Sequence, residues 1–171
     1  MKHILIAGIG NIFLGDDAFG CDVARELAAR ELPVEVTVRD FGIKSYDLAY
    51  ALAGNHDAII LVDATPRGDV PGTTYLVEID PRELAELEPE RPDAHTMNPI
   101  NALKMALSVA PVTAKIYLVG CEPAKLESED GDIGLSEPVQ RAIPQAIELI
   151  ERVLIQELAR SVEIKKVEVI A

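Results

Sequence analysis

The chain has 171 residues, of which 49% are hydrophobic and 26% charged, and this predicts one globular domain with a full hydrophobic core. Its 29 acidic and 16 basic residues give a net charge of −13. Such a charge argues against nucleic acids and anionic membrane surfaces as partners, although it is compatible with a basic protein partner.

The cysteines and the first apolar run bear on the cellular compartment. Cys21 and Cys121 form no CxxC pair, and nothing else resembles a disulfide framework. The apolar run before Gly8 is too short to cross a membrane, and no signal-peptide cleavage site follows it. We therefore expect a cytoplasmic protein in which both thiols are buried structural groups and not nucleophiles.

The first half of the chain alternates strand-like and helix-like patterns, as α/β sheets do. A strand is expected at 3–8 and a helix at 18–31, where apolar residues recur at helical spacing. Valines then alternate with polar residues at 34–38, which predicts a half-exposed strand that ends at 40–42. Ser45 is expected to cap a short helix that reaches Leu52.

The second half continues the alternation. Residues 58–62 are continuously apolar, as in a central strand buried on both faces, and the short connection to the next strand at 73–79 predicts that this strand runs antiparallel. The pair Asn98-Pro99 predicts the start of a helix that reaches Val109. A strand at 115–121 and a long loop precede the last helix, expected at 136–159.

These elements predict a single three-layer α/β domain over residues 1–160, with a twisted, mostly parallel sheet of about five strands flanked by helices. Residues 161–171 form a C-terminal extension in which apolar and polar residues alternate. That pattern fits either an added edge strand or a loosely ordered tail, and both interpretations stay open.

Carboxylates follow each of the first three predicted strands. Asp16 and Asp17 come after the first strand, Asp40 after the second and Asp63 after the third. The carboxyl ends of parallel strands meet at one edge of a sheet, which is where ligands bind in such folds. Acids gathered there repel one another, so that either a cation holds them or their pKa values rise. The sequence therefore predicts a site for a cation or for proton transfer at this edge.

These acids also have purely structural interpretations. Asp17 lies in the first turn of a helix, where a carboxylate stabilises the helix dipole, and Asp63 could accept a hydrogen bond in the turn that closes its strand. The adjacent Asp16 weakens the first interpretation, because one helix start needs only one cap. Adjacent residues point in different directions, so Asp16 and Asp17 do not suit the shared-proton dyad of aspartic proteases.

His95 is the histidine best placed to join the acids. It lies in a long loop just before the helix expected at Pro99 and is free to reach the carboxyl edge. A neutral imidazole together with carboxylates is a workable ligand set for a borderline transition metal.

A dinucleotide site is a competing interpretation of the first loop. Gly8 and Gly10 match part of the GxGxxG motif, and Asp40 lies where a ribose-binding acid would be. However, Phe13 replaces the third glycine, and the acids after the loop would repel a pyrophosphate. This alternative is therefore disfavoured.

Several segments of the chain, in the same order, resemble the hydrogenase maturation protease family. They are the opening GIGNIFLGDDAFG, the segment from Asp40 to Leu48, the strand end Val62-Asp63-Ala64, His95, and the runs LVGCEP and IGLS between 118 and 136. The resemblance covers residues 2–158. It implies a twisted sheet flanked by helices, and an endopeptidase that removes a short C-terminal extension from the large subunit of nickel–iron hydrogenase once the nickel–iron centre has been loaded.

The resemblance also implies roles for individual residues. An acid of the first loop, an aspartate after the third strand and a loop histidine are associated with metal binding, and they correspond to Asp17, Asp63 and His95. Many relatives have glutamate at the first position, so Asp16 and Asp17 both stay candidates for it. Asp40 matches the acid of a further motif linked to substrate recognition or cleavage. The implied catalytic residues are therefore Asp17, Asp40 and Asp63, and the implied metal is nickel supplied by the substrate.

The resulting hypothesis is that nickel in the large-subunit precursor docks against Asp17, Asp63 and His95, which places the scissile bond in the site. The alternative is a nickel-sensing or escort module for the large subunit that cuts nothing. In either case we expect a monomer.

Overall fold

The computed structural model describes residues 1–85, 99–126 and 133–168, with the side chains of all of these except 84–85 and 161–168. In this part of the chain five strands form one sheet: β1 (Ile4–Ile9), β2 (Val36–Gly42), β3 (Ala58–Ala64), β4 (Thr74–Ile79) and β5 (Lys115–Cys121). The helices are α1 (Phe19–Ala28), α2 (Ser45–Leu52), α3 (Pro81–Ala85), α4 (Pro99–Val109) and α5 (Glu137–Glu168). A short 3-10 turn, Gly15–Ala18, leads directly into α1.

The sheet has the strand order β2-β1-β3-β5-β4. All neighbours are parallel except β4, which pairs antiparallel with β5 at one edge. The predicted single α/β domain with a mostly parallel five-stranded sheet is therefore confirmed. Strand β4 also runs antiparallel to β3, as predicted, but β5 lies between the two and is the actual partner of β4. This topology brings the carboxyl ends of the four parallel strands to one edge.

Helices cover both faces of the sheet and make three layers. Helices α1 and α5 pack on one face, through side chains such as Phe19 and Ile150, and α2 and α4 pack on the other, through Leu48 and Leu103. Strands β1 and β3 are buried along their whole length, which accounts for their continuously apolar sequences. Among the described helices, none combines the length and the apolar character that a membrane crossing requires.

Two predicted helix boundaries differ from the structure. Helix α1 ends at Ala28 and not at Glu31. Ser45 is the first residue of α2 and not its cap, because Lys44 occupies the cap position and no side chain makes a cap hydrogen bond there. The predicted cap residue of α4, Asn98, lies outside the described residues.

The C-terminal segment differs more. Helix α5 continues through Pro144 and on to Glu168, well past the predicted end at Ala159. Residues 161–168 are helical, so the interpretation of the tail as an added edge strand is wrong for them. Residues 169–171 lie outside the described part of the chain.

Helix α5 carries a buried carboxylate at the amino edge of the sheet. Glu157 is 1% exposed and accepts a hydrogen bond from the Tyr117 hydroxyl at 2.7 Å. The side-chain nitrogens of Lys2, Lys115 and Arg160 lie 3.3, 3.4 and 2.9 Å from its oxygens. Since Lys2 precedes β1 and Lys115 begins β5, this Glu157 cluster ties α5 to the starts of two strands. The surrounding cations offset the cost of burying the carboxylate.

Candidate active site

Two glycines bring the first loop against the central strands. Gly10 follows β1 with a φ of +137°, and a Cβ on it would lie 1.7 Å from the carbonyl oxygen of Asp17. A Cβ on Gly20, in the first turn of α1, would lie 2.1 Å from the carbonyl oxygen of Val62. Backbone therefore packs directly on backbone, which only glycine permits. As a result, the turn that carries Asp17 lies against the end of β3, where Asp63 follows Val62.

Asp16 is a structural carboxylate. It is 1% exposed, and its Oδ2 accepts hydrogen bonds from the backbone N–H groups of Ala124 and Lys125 at 2.8 and 3.0 Å. The backbone N–H of Ser136 donates to Oδ1 at 2.7 Å, and its hydroxyl donates to Oδ2 at 2.9 Å. These four donors, which we call with Asp16 the Asp16 clamp, engage both oxygens of the carboxylate. Asp17 is therefore the acid of the first loop that is available to a ligand.

Asp17 and Asp63 form an acid pair at the carboxyl edge. The Oδ2 of Asp17 accepts the backbone N–H of Asn11 at 2.7 Å, and burial raises the pKa of Asp17. Asp63 is 4% exposed, and burial raises its pKa well above the usual range of a carboxyl. The charge of Asp17 raises the pKa of Asp63 further, while the N–H of Ala64 lowers it. The structure thus brings together two of the three predicted metal ligands.

The third predicted ligand, His95, lies outside the described residues. In the parts that the structure does describe, no group of three or more His, Cys, Asp or Glu side chains is placed to hold a metal ion. In those same parts, neither acid of the pair forms an ion pair with a basic side chain. Negative charges on the buried Asp63 and the half-buried Asp17 repel each other, and a divalent cation between them would stabilise both ionised carboxylates.

Asp40 lies on a separate groove at the end of β2. Its Oδ1 accepts the N–H of Gly42 at 3.0 Å, and its Oδ2 lies 3.4 Å from the guanidinium of Arg25. The groove, which we call the Asp40 groove, has a volume of about 340 Å³. Three exposed apolar side chains and a further cation line it: Ile12, Phe13, Ile43 and Lys44. Asn11 connects the groove to the acid pair, because it lines the groove while its N–H holds Asp17.

Neither cysteine is placed for nucleophilic chemistry. Cys21 is buried and its thiol donates to the carbonyl of Gly10 at 3.4 Å, and burial, with smaller contributions from Asp40, raises its pKa. Burial also raises the pKa of Cys121 to about 12. Both thiols therefore stay protonated at neutral pH, which fits the predicted structural role.

The first loop also disfavours the dinucleotide interpretation. The backbone N–H of Asn11, which would face a pyrophosphate in that motif, is occupied by the carboxylate of Asp17. An anion at this position would meet the acidic side chain of Asp17.

A second set of polar side chains lies at this edge, on and next to the loop between β3 and β4. The sequence patterns did not predict it. Asp63, Gly120 and Tyr75 occupy one row across β3, β5 and β4. Because Gly120 has no side chain, the Tyr75 ring lies over it, and a Cβ there would be 2.1 Å from the ring. The Tyr75 hydroxyl donates to the carbonyl of Thr65 at 3.3 Å. The guanidinium of Arg67 covers the ring, 4.3 Å from its centroid.

A buried carboxylate fixes the backbone of this loop. Glu122 is 6% exposed and accepts the N–H groups of Arg67 at 2.6 Å and of Gly68 at 3.3 Å. The N–H of Thr65 donates to the carbonyl of Cys121 at 3.0 Å. Arg67 is thus held at the edge that carries the acid pair. The register of three strands creates this arrangement, so a local sequence pattern contains no signal for it.

The fold and the site together define a class of protein. It is an α/β protein with an open, mostly parallel sheet that carries an acid pair, the buried Asp63 and the half-buried Asp17, at the carboxyl edge. The chain belongs to the hydrogenase maturation protease family, whose sequence model matches residues 21–153. It is therefore a member of a family of hydrogenase maturation endopeptidases, as its motifs implied.

Named relatives and solved structures agree with this assignment. The hydrogenase expression/formation protein HupD of Rhizobium leguminosarum bv. viciae is 34% identical over 154 residues, which cover 89% of this chain and 74% of HupD. The hydrogenase 2 maturation protease of Escherichia coli K12 is 30% identical over 150 residues, 86% of this chain and 88% of that protein. The structure of the hydrogenase maturating endopeptidase HybD from E. coli matches with a TM-score of 0.72 and 28% identity, over 91% of this chain and 94% of HybD.

Proposed function

We propose that this endopeptidase removes the C-terminal extension of the nickel–iron hydrogenase large subunit after nickel has been loaded. The observation that supports this function is the acid pair at the carboxyl edge. Asp17 and Asp63 lie close enough for one charge to act on the other, and no basic side chain of the described residues pairs with either. The nickel of the substrate would supply the cation that such a pair favours.

In this proposal the substrate's nickel docks against Asp17, Asp63 and His95. The metal is already held in the precursor by cysteine thiolates, and two carboxylates with one imidazole are ligands that a borderline metal accepts. Because the nickel itself is what docks, only a loaded precursor is recognised. Docking also places the scissile peptide bond beside the acid pair. Polarisation of the peptide carbonyl, or activation of a water molecule, then lowers the barrier to cleavage.

The Asp40 groove is the surface that we assign to the peptide next to the scissile bond. It adjoins the acid pair through Asn11, and it combines exposed apolar side chains with charges of both signs. A peptide segment offers apolar side chains, N–H donors and carbonyl acceptors that such a groove can bind. Asp40 is thus proposed to act on the substrate together with Asp17 and Asp63.

We further propose that the protein works on this partner as a monomer in the cytoplasm. The two buried, free cysteines suit a reducing compartment. The catalytic domain in this proposal comprises residues 1–160, and residues 161–171 form an extension to it.

The test is incubation of the full chain with nickel-loaded and with nickel-free precursor, followed by intact-mass analysis of the large subunit. We expect cleavage of the loaded precursor only. Equal cleavage of both forms would contradict nickel docking. A stable complex without any cleavage would favour an escort over a protease.

Variants of the three proposed ligands sharpen this test. Asp17→Asn, Asp63→Asn and His95→Ala are each expected to lower kcat/KM by about 10²-fold or more. The matched control is Asp69→Asn, which changes an exposed acid of the β3–β4 loop and is expected to cleave at the rate of the unaltered chain. If the protein is an escort and not a protease, the His95→Ala variant would lose complex formation with the precursor. The precursor would then still be cut by another enzyme.

A further inference from the structure

We infer that Arg67, held on the ring of Tyr75 at the edge that carries the acid pair, binds an anionic oxygen of the substrate. This inference rests on the proposed function, because it assigns a further residue to the same site. It concerns the loop between β3 and β4, which neither the predicted metal ligands nor the Asp40 groove includes.

The first step is the position of Arg67 relative to Asp63. The Tyr75 ring crosses Gly120 towards β3, and its hydroxyl reaches the carbonyl of Thr65, two residues after Asp63. Arg67 covers that ring and therefore lies at the same edge as the acid pair. The electrostatics agree: burial raises the pKa of Tyr75, and the charges of Arg67 and Asp63 act on this pKa in opposite directions. Both charges thus act on the same phenol.

The second step is that this position is fixed before any ligand binds. The carboxylate of Glu122, itself buried, accepts the backbone N–H groups of Arg67 and Gly68. Gly68 turns the chain with a φ of +85°, a conformation that favours glycine. The guanidinium itself is held by its contact with the face of the Tyr75 ring. Preorganised donors are the most effective ones for a developing charge, because they need no rearrangement during the reaction.

The third step is that the guanidinium has free donors. Stacking on an aromatic ring uses the face of the guanidinium, whereas its five N–H groups point outward in the plane. In the described ranges 1–85, 99–126 and 133–168 Arg67 forms no ion pair, although the chain carries 29 acidic residues. Its side chain is exposed and accessible to a substrate. A planar cation with free donors recognises anionic oxygens, often through two parallel hydrogen bonds.

The substrate can supply such an oxygen in two ways. During cleavage, water adds to the scissile carbonyl carbon, its proton passes to a carboxylate of the site, and the π electron pair moves to the carbonyl oxygen. That oxygen becomes the anion that Arg67 would stabilise. The other source is a carboxylate of the C-terminal extension, either its terminus or an acidic side chain. The chemistry of recognition is the same in both cases.

The experiment compares Arg67→Gln, Arg67→Lys and a control in the full chain, with nickel-loaded precursor as the substrate. The control is Arg82→Gln, which changes an exposed arginine just after β4 that pairs only with Asp80 in the described structure. We expect Arg67→Gln to lower kcat/KM by about 10²-fold, the effect of removing one preorganised donor. Arg67→Lys keeps the charge and loses the planar fork, so about 10-fold is expected. Thermal unfolding of all three variants should match that of the unaltered chain, because both arginines are exposed.

The kinetic constants identify the source of the oxygen. A lower kcat with an unchanged KM assigns Arg67 to the oxygen of the scissile carbonyl. A raised KM assigns it to the extension, provided that the unaltered enzyme shows the same rise with a precursor whose extension carries amides in place of all carboxylates.

Other results overturn the inference. If Arg67→Gln matches Arg82→Gln in both kcat and KM, Arg67 binds no substrate oxygen. A raised KM that the amide precursor fails to reproduce would also contradict it. These results differ from a failure of the proposed function, in which the unaltered chain itself leaves the loaded precursor uncut.

Discussion

Asp16 and Ser136 lie 120 positions apart in the chain, and Asp16 accepts hydrogen bonds from both the backbone N–H and the hydroxyl of Ser136. The N–H groups of Ala124 and Lys125 donate to the same carboxylate. The Asp16 clamp therefore fastens the segment after β5 to the loop that carries Asp17. The geometry of the site thus depends on an acid whose two oxygens are both hydrogen-bonded to other parts of the chain.

Asp16→Ala is expected to destabilise the fold strongly. It leaves three backbone N–H groups and one hydroxyl without their acceptor. Asp16 is buried, but its donors lie on exposed or half-buried residues that water can partly reach, so we expect the free energy of unfolding to fall by about 2–3 kcal/mol. Urea denaturation measures this change, and the exposed Asp69→Ala should change it by less than about 0.5 kcal/mol. A loss as small as that of the control would show that the clamp contributes little.

Asp63→Asn is expected to abolish cleavage and yet to raise the melting temperature at pH 7 by a few degrees. Burial raises the pKa of Asp63, so the folded state holds the proton more tightly than the unfolded chain does. Ionisation of Asp63 therefore destabilises the fold as the pH rises above the usual carboxyl range, and below that range the penalty disappears.

Thermal unfolding at several pH values tests whether ionisation of Asp63 destabilises the fold. The difference in melting temperature between Asp63→Asn and the unaltered chain should grow from pH 4 to pH 7. The exposed Asp69→Asn is the control and should show no such trend. A variant that melts lower than the unaltered chain at pH 7 would mean that the ionised Asp63 stabilises the fold.

Glu157→Gln is expected to lower the free energy of unfolding by about 1–3 kcal/mol, because the Glu157 cluster loses its only anion in the described structure. The loss stays moderate since Lys115 and Arg160 are partly exposed and can reach water. Cleavage should not change, because the cluster lies at the amino edge. Glu151→Gln is the matched control on α5: its ion pair with Arg30 is exposed, so less than about 0.5 kcal/mol is expected. Equal losses in the two variants would contradict the buried cluster.

Gly120→Ala is expected to displace the Tyr75 ring, because the added Cβ would lie 2.1 Å from it. Such overpacking costs about 1–3 kcal/mol and should also reduce cleavage, since Arg67 moves with the ring. A double-mutant cycle, made of Gly120→Ala, Tyr75→Ala and the double variant, measures the interaction energy between position 120 and the Tyr75 ring. In the absence of the ring, Gly120→Ala should cost markedly less in urea denaturation. Strictly additive effects would contradict the contact.

Much of the fold could be predicted because each strand's surroundings determine its pattern. Strands β1 and β3 are apolar throughout since helices cover both faces, and β2 alternates since it forms an edge. The end of α5 could not be predicted in this way. The alternation at 162–169 is typical of a strand, but a helix that has already formed extends with one hydrogen bond per added residue.

The acid pair could be predicted, whereas its supports could not. Asp17 and Asp63 follow apolar strands, so the edge that they share was evident from the sequence. Asp16 is held in the clamp and Asp17 is not, and this difference depends on Ser136, which is remote in the chain. The contact of Arg67 with Tyr75 depends on strand register and on the missing side chain of Gly120. Long-range pairing of this kind is not encoded in any local window.

Gly10 and Gly20 place the Asp17 turn by contacts between main chains. The apolar side chains that line the Asp40 groove, Ile12, Phe13 and Ile43, take no part in those contacts. Substitutions at these side chains would therefore reshape the groove without moving either acid. If the Asp40 groove holds the peptide, as proposed, a change in which hydrogenase is processed requires substitutions in the groove only, while the main-chain contacts of the two glycines keep the acid pair in place.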